Sequence, residues 1–366
     1  MRKIRVLVVD DSAFMRKMIS DILSQDPEIE VIDRARNGLE ATEKVKALLP
    51  DVVTMDVEMP VMDGLAALEY LMKHHAVPVV MLSSLTQEGA AATMKALELG
   101  AVDFIRKPSG SISLDIHKVQ DQIISKVKAA SMAKVNRQPL PLRSNEQILE
   151  PMKFDNFRNK ATFPISQSEL SNIILIGTST GGPKALQIVL SSLPKDLPAA
   201  VLVVQHMPPG FTKSLSQRLD SLSSLHVVEA EDGMEIKKGT VYIAPGDYHM
   251  TVKKKGSGTL HVALNQEEPR AGHRPSVDSL FESVAAMSMP TTYAVIMTGM
   301  GSDGTKGLQA LKATGKCQEA VAEDETTCVV FGMPKSAIAS GNVDTVLPLS
   351  KIGAYLTKVI HGETKG

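Results

Sequence analysis

Apolar and polar positions alternate in blocks along residues 1–125. Short, nearly continuous apolar runs stand at Val6–Val9, Val52–Met55, Val79–Leu82 and Val102–Ile105, with a weaker one at Ile29–Ile32. Between them, helix-period patterns cover Ser12–Leu23, Gly38–Leu48, Leu65–His74 and Gly89–Leu99. Runs this short and this apolar suit strands buried on both faces of a parallel sheet. Strand and helix in strict alternation predict helices on both sides of that sheet. Five such units in this length predict a flavodoxin-like doubly wound domain.

The pattern breaks between about Ser131 and Ser168, where Pro139, Pro141, Pro151 and Pro164 sit among polar residues with no sustained period. This reads as a linker with a short helix near its start. Flexible-chain scaling gives roughly 35–40 such residues a reach of about 30–38 Å. The two flanking halves would then meet at about millimolar effective concentration, enough for weak mutual docking. Alternation resumes beyond it. Strands are expected at Ile173–Ile176, Ala200–Gln205, Thr240–Ala244 and Tyr293–Met297, and helices at Pro183–Leu193, Gly210–Ser221, Val277–Met287 and Gly304–Ala313. The expected organisation is α/β throughout. Residues 1–125 form the first domain, 126–168 the linker, and 169–366 a second, larger doubly wound α/β domain with a mainly parallel sheet.

Composition narrows the function classes. A chain of 366 residues with 43% hydrophobic content can fill two cores. Net charge is −1 with both signs mixed, which gives no reason to expect nucleic-acid binding. The apolar run after Met1 is too short for a secretion signal and ends in two aspartates, and no stretch approaches a membrane span. Cys317 and Cys328 are too few for a disulfide framework. The expectation is a soluble cytoplasmic protein with no direct membrane insertion.

Chemistry gathers at the strand ends of the first domain. Asp10 and Asp11 follow the first apolar run and Asp56 follows the third, which places three carboxylates in the ligand crevice of a doubly wound sheet. Such a hard oxygen set suits Mg²⁺. Ser83 ends the fourth strand and Lys107 the fifth. A metal, a hydroxyl and an ammonium around Asp56 would stabilise a phosphoryl group on its carboxylate. Any one of these residues alone could be a cap, but five gathered at four strand ends are hard to get by chance. This half resembles the receiver domain of two-component response regulators, with Asp56-Val-Glu-Met-Pro60 and Asp63-Gly64 as the closest match. The resemblance implies Asp56 as phospho-acceptor and a Mg²⁺ held by Asp11, Asp56 and the Glu58 carbonyl. It further implies Ser83 as switch hydroxyl, Phe104 as switch aromatic and Lys107 as phosphate contact.

In the second half, the run Asn172–Ile176 leads into Gly177-Thr-Ser-Thr-Gly-Gly182. The spacing Gly177-x-Ser179-x-Gly181 fits a nucleophile elbow. It equally fits a loop that cradles phosphate at a helix N-terminus. His206 follows the next strand, and Asp303 follows a later one within Thr298-Gly-Met-Gly-Ser-Asp-Gly304. In a parallel sheet all three loops open on one edge. A serine needs a histidine to take its proton, and the histidine a carboxylate to fix its tautomer. The plainer alternatives are a packed histidine at His206 and an Asp303 that caps the helix beginning near Gly304. The order Ser, His, Asp differs from that of the α/β-hydrolases. Backbone N–H groups around Met300 and the Ser179–Gly181 turn could meet an oxyanion, with Thr180 as a further donor. Arg270–Ser276 reads as a solvated loop that could line a substrate groove.

Across both halves the chain resembles the chemotaxis protein-glutamate methylesterases. Gly177–Gly182, Gln205-His-Met-Pro-Pro-Gly-Phe211, Tyr242-Ile-Ala-Pro-Gly-Asp247, His273-Arg-Pro-Ser-Val-Asp278, Thr298-Gly-Met-Gly301 and Val329-Val-Phe-Gly-Met-Pro334 carry the match. Thr178 stands where alanine is common in the family. The resemblance implies Ser179 as nucleophile, His206 as base and Asp303 as its carboxylate. It implies hydrolysis of glutamate γ-methyl esters, with deamidation of some glutamines, on the cytoplasmic helices of chemoreceptors, and no cofactor for that reaction. A chemotaxis histidine kinase would be the phosphodonor. The rival reading is a non-catalytic response regulator whose second domain binds a nucleotide through Gly177–Gly182 or acts by docking.

Overall fold

The computed structural model describes residues 2–84, 86–107, 116–133, 170–256, 258–287 and 291–362. Most of the expected linker lies outside them. The first sheet has five parallel strands, β1 (Ile4–Val9), β2 (Ile29–Ala35), β3 (Val52–Asp56), β4 (Val79–Ser83) and β5 (Asp103–Arg106), in the order β2-β1-β3-β4-β5. Val6–Val9 are wholly buried because helices cover both faces. These helices are α1 (Ala13–Leu23), α2 (Gly38–Leu48), α3 (Gly64–His74), α4 (Gln87–Leu99) and α5 (Ile116–Ser131). Side chains of Ser12, Asn37 and Asp63 accept backbone N–H groups at the starts of α1, α2 and α3, which sets where each helix begins. Helix α5 continues through residue 125 to Ser131.

The second sheet has seven strands, all paired in parallel, in the order β14-β13-β12-β6-β7-β9-β8. They are β6 (Asn172–Thr178), β7 (Ala200–Gln205), β8 (His226–Glu229), β9 (Thr240–Ile243), β12 (Thr291–Ile296), β13 (Cys317–Glu323) and β14 (Thr345–Leu347). An antiparallel hairpin, β10 (His249–Lys255) with β11 (Thr259–Asn265), forms a separate ribbon. Helices α6 (Gly182–Ser191), α7 (Phe211–Leu222), α8 (Val277–Ala285), α9 (Thr305–Ala313), α10 (Met333–Ala339) and α11 (Leu349–Ile360) complete the unit. The doubly wound, mainly parallel architecture expected of both halves is present. Central strand β6 lies between β7 and β12, so the chain changes direction across the sheet there. Ligand crevices form at such switch points.

The two units meet along α4, α6 and α7. Phe104 of β5 is buried and packs its ring on Phe211 of α7, with centroids 4.5 Å apart. Glu98 pairs with Arg218 at 2.5 Å. Cys317 and Cys328 are both buried and free. Among the described residues no helix is long and apolar enough to cross a membrane.

Candidate active site and receiver pocket

At the end of β6 the chain must turn into α6 without a clash. Gly181 makes that turn at φ +80°, a left-handed conformation that side-chain-bearing residues rarely adopt. Ser179 sits at the tip, its N–H bonded to the Thr298 carbonyl at 3.0 Å and its carbonyl accepting from Gly182 and from the Gln205 amide. Gly299 is required by proximity: a Cβ there would lie 2.8 Å from that of Ser179. The Thr298 hydroxyl bonds the Thr180 carbonyl, and its N–H bonds Glu323 at 2.8 Å. Glu323 is fully buried, and burial raises its pKa despite these donors. This strand-end carboxylate, which braces the Ser179 turn from behind, was not among the candidates. The cue was a glutamate ending an apolar segment that reads poorly as a strand.

His206 follows β7 and is nearly buried. Its Nε2 lies 2.8 Å from Asp303 Oδ2, while its buried Nδ1 has no hydrogen-bond partner. Because the ionised Asp303 can only accept, Nε2 carries the hydrogen and Nδ1 keeps its lone pair. The Gln205 amide donates to the carbonyls of both Ser179 and His206, tying the two loops together. The hydrogen bond between Ser179 and the free Nδ1 is not closed in this state. Such contacts often tighten only when substrate binds.

Toward its own helix α9, Asp303 accepts only the Gly304 N–H, at 3.1 Å. Its carboxylate accepts from the Ser276 hydroxyl (2.8 Å) and from the N–H groups of Val277 (2.7 Å) and Asp278 (3.0 Å), at the start of α8. Asp278 returns the favour, accepting from Gly304 and Gly307 at the start of α9. Two helix N-termini are thus capped by each other's carboxylates. Burial by itself would raise the Asp303 pKa, but the His206 and α8 donors outweigh it and hold the group well below the usual carboxylate range. The histidine therefore faces a permanent anion.

Thr180, expected as an oxyanion donor, is engaged elsewhere. Its hydroxyl donates to Asp103 Oδ2 of β5 at 2.6 Å, and the other oxygen of Asp103 pairs with Lys126 of α5. A strand-end carboxylate of the first unit therefore touches the residue next to Ser179. Met300 is partly exposed, on a loop fixed by two bonds to the Gly299 carbonyl from Gly332 and Met333.

At the first sheet's switch point, Asp10, Asp11 and Asp56 offer carboxylate oxygens within 4.8 Å of one another, with Asp11 exposed at the mouth. Lys107 Nζ lies 2.6 Å from Asp56. It also lies 3.0 Å from Asp10 Oδ2, but out of hydrogen-bond alignment, so that oxygen has no donor. Burial chiefly, with Asp10 beside it, pushes the Asp56 pKa up to about 6, against the pull of Lys107. One lysine among three carboxylates leaves an excess of negative charge and an unserved oxygen. A hard divalent cation fits that donor set. Glu58 is exposed, and its N–H reaches Asp56 at 3.4 Å. Ser83 is turned away from Asp56, bonded to the Gly89 carbonyl and to Thr93.

Comparison with known proteins agrees with this division. Residues 174–356 match the family model described as CheB methylesterase, and residues 6–117 match that of the response regulator receiver domain. A Geobacillus kaustophilus protein, called protein-glutamate methylesterase/protein-glutamine glutaminase, is 53% identical over 98% of this chain and 99% of its own. A Bacillus subtilis protein with that description is 48% identical over 98% and 99%. The crystal structure of the Thermotoga maritima CheB methylesterase catalytic domain is 50% identical. It covers 52% of this chain and 98% of its own, with a TM-score of 0.50.

Proposed function

The chain belongs to the CheB methylesterase family and is a protein-glutamate methylesterase and protein-glutamine glutaminase, and we propose that it works through Ser179, His206 and Asp303 under the control of its receiver half. The observation that carries this reading is the His206–Asp303 bond, lodged on the start of α8 beside the Ser179 turn. In the first step the Ser179 hydroxyl adds to the γ-carbonyl of a glutamate methyl ester and gives its proton to His206 Nδ1. The Thr180, Gly181 and Met300 N–H groups receive the oxyanion. Collapse breaks the bond to methoxide, which leaves as methanol with the proton from His206. Water then repeats the sequence on the acyl-enzyme, releasing the carboxylate and restoring Ser179. A glutamine follows the same course with ammonia as leaving group.

The substrates are the cytoplasmic helices of chemoreceptors, and the outcome is chemotactic adaptation. Asp56 accepts a phosphoryl group from a chemotaxis histidine kinase. Asp11, Asp56 and the Glu58 carbonyl, with Asp10 adjoining, would hold Mg²⁺, which would supply positive charge to offset that of a phosphoryl group on Asp56. Lys107 is already on Asp56, whereas Ser83 must leave Gly89 to reach a phosphoryl group. That movement is read out through Phe104, which packs on Phe211, and through Asp103, which holds Thr180. Unphosphorylated, the receiver restricts the Ser179 edge.

The test is methanol release from methyl-labelled receptor membranes, with and without a small-molecule phosphodonor. The wild type should respond to the phosphodonor. Ser179→Ala should release none while still incorporating phosphate. Retained release would assign the chemistry to another nucleophile.

A further inference from the structure

The segment Arg270–Ser276, read from sequence as a solvated loop, is held through Arg270, His273, Arg274 and Ser276. Arg270 and His273 exchange two backbone hydrogen bonds of 3.0 and 2.9 Å across Ala271 and Gly272, both at positive φ. That is a two-residue hairpin turn. Arg270 grips Glu282 of α8 with two bonds of 2.5 and 2.8 Å. Arg274 binds Asp247 and the carbonyls of Gln266 and Glu267. Ser276 binds Asp303. The product of this scaffold is one contact: the His273 ring lies flat on the His206 ring, with centroids 3.9 Å apart and planes 8° apart.

Resting on the reading of His206 as the base, we propose that His273 is a positioning residue, a flat clamp that fixes the plane of the His206 imidazole. The need for one follows from the site. His206 makes a single side-chain hydrogen bond, through Nε2, and its Nδ1 is unpartnered. One hydrogen bond leaves the ring free to tilt about the line joining Nε2 to Asp303. A tilt moves the Nδ1 lone pair off Ser179 without breaking that bond. A second ring stacked face to face removes this freedom and costs no hydrogen bond.

The clamp must also tolerate the imidazolium that forms in turnover. Burial first, and His206 second, depress the His273 pKa to about 3, so the clamping ring is neutral at working pH. The other charged groups that act on it are Asp303 and, from α5, Lys126. A neutral aromatic face attracts a stacked cation, whereas a charged one would repel it.

The test compares His273→Ala and His273→Phe in the full-length protein, with His206→Ala beside them. Steady-state demethylation of receptor membranes gives kcat and KM, and thermal melting checks folding. Proton NMR of ¹⁵N-histidine-labelled protein follows the Nε2–H signal between His206 and Asp303. Misplacing a reacting group by about 1 Å costs on the order of 10²-fold. His273→Ala should therefore lower kcat by roughly tenfold or more, with KM little changed and the Nε2–H signal broadened. His273→Phe, flat and neutral, should restore most of kcat and a sharp signal. Wild-type kcat in His273→Ala, with His206→Ala inactive, would overturn the clamp and leave the triad standing. Equal loss in both folded variants would also overturn it, since a ring nitrogen would then be the need. Full activity in His206→Ala would instead overturn the triad itself.

Discussion

Replacing Asp303 with Asn changes one atom and should separate the two duties of this carboxylate. Oδ1 accepts from Ser276, Asp278 and Gly304, and Oδ2 from His206 and Val277. An asparagine can keep only one acceptor oxygen. The cheaper orientation leaves oxygen at the position with three donors and puts the NH₂ where Oδ2 was. There it opposes the Val277 N–H and the hydrogen on His206 Nε2. His206 can escape by moving its proton to Nδ1, so that Nε2 accepts from the new amide. That is the wrong tautomer for the proposed mechanism, in which Nδ1 takes the proton of Ser179. An aspartate-to-asparagine exchange that traps this tautomer costs about 10⁴ in kcat, or roughly 5.5 kcal/mol. The Val277 N–H has no such escape, and a buried unpaired donor costs about 1–3 kcal/mol. At about 2–4 °C per kcal/mol for a unit of this size, melting should fall by several degrees. Phosphodonor-stimulated methanol release and calorimetry measure the two effects separately. Activity within tenfold of wild type, in a protein that melts normally, would refute the tautomer argument.

Asp103→Ala removes the carboxylate that holds Thr180. Charged hydrogen bonds contribute about 1.5–3 kcal/mol, so methanol release without phosphodonor should rise about tenfold and stimulation should shrink. Unchanged basal release would mean that this contact does not restrain the site. Chelating divalent cations, or changing Asp56 to Asn, should abolish phosphodonor stimulation and leave basal release intact; loss of basal release on chelation would place a metal in the esterase reaction. A pH effect follows from His273, which stays neutral when folded down to about pH 3 but protonates near 6.5 when unfolded. The unfolded state then binds the extra proton, so this contribution is complete above pH 6.5 and is lost as pH falls toward 3. Between pH 6.5 and 4.5 the wild type should lose about 2 kcal/mol more stability than His273→Phe. Parallel losses in urea titrations would contradict this.

The receiver was legible nearly residue by residue because its signals are local. Strands buried on both faces must be apolar throughout, and a parallel sheet puts the next residue of each strand on one edge. Asp10, Asp56, Ser83 and Lys107 could therefore be placed from their position after a run. The second unit was less legible where that logic lapses. β8 and β14 are short, and β13 carries glutamates at Glu319 and Glu323. The β10–β11 ribbon lies outside the main sheet and exposes Lys253–Lys255. None of these presents the continuous apolar run that marks a central strand.

At the site, sequence alone determined the chemistry available: a serine on a glycine turn, a histidine and an aspartate at strand ends. Those types suit the proposed reaction, which needs a nucleophile, a base and an anion. Only the tertiary structure decided how each is held. Asp303 serves chiefly α8, some 25 residues earlier, and takes only the Gly304 N–H from the helix it precedes. His273 reaches His206 across 67 residues, and Asp103 reaches Thr180 across 77 and from the other unit. Such contacts leave no periodicity in the chain, because they depend on which loops a packed sheet brings to one edge. Hydrogen bonds and stacking act over about 3–4 Å in space, a distance that separation along the chain does not encode.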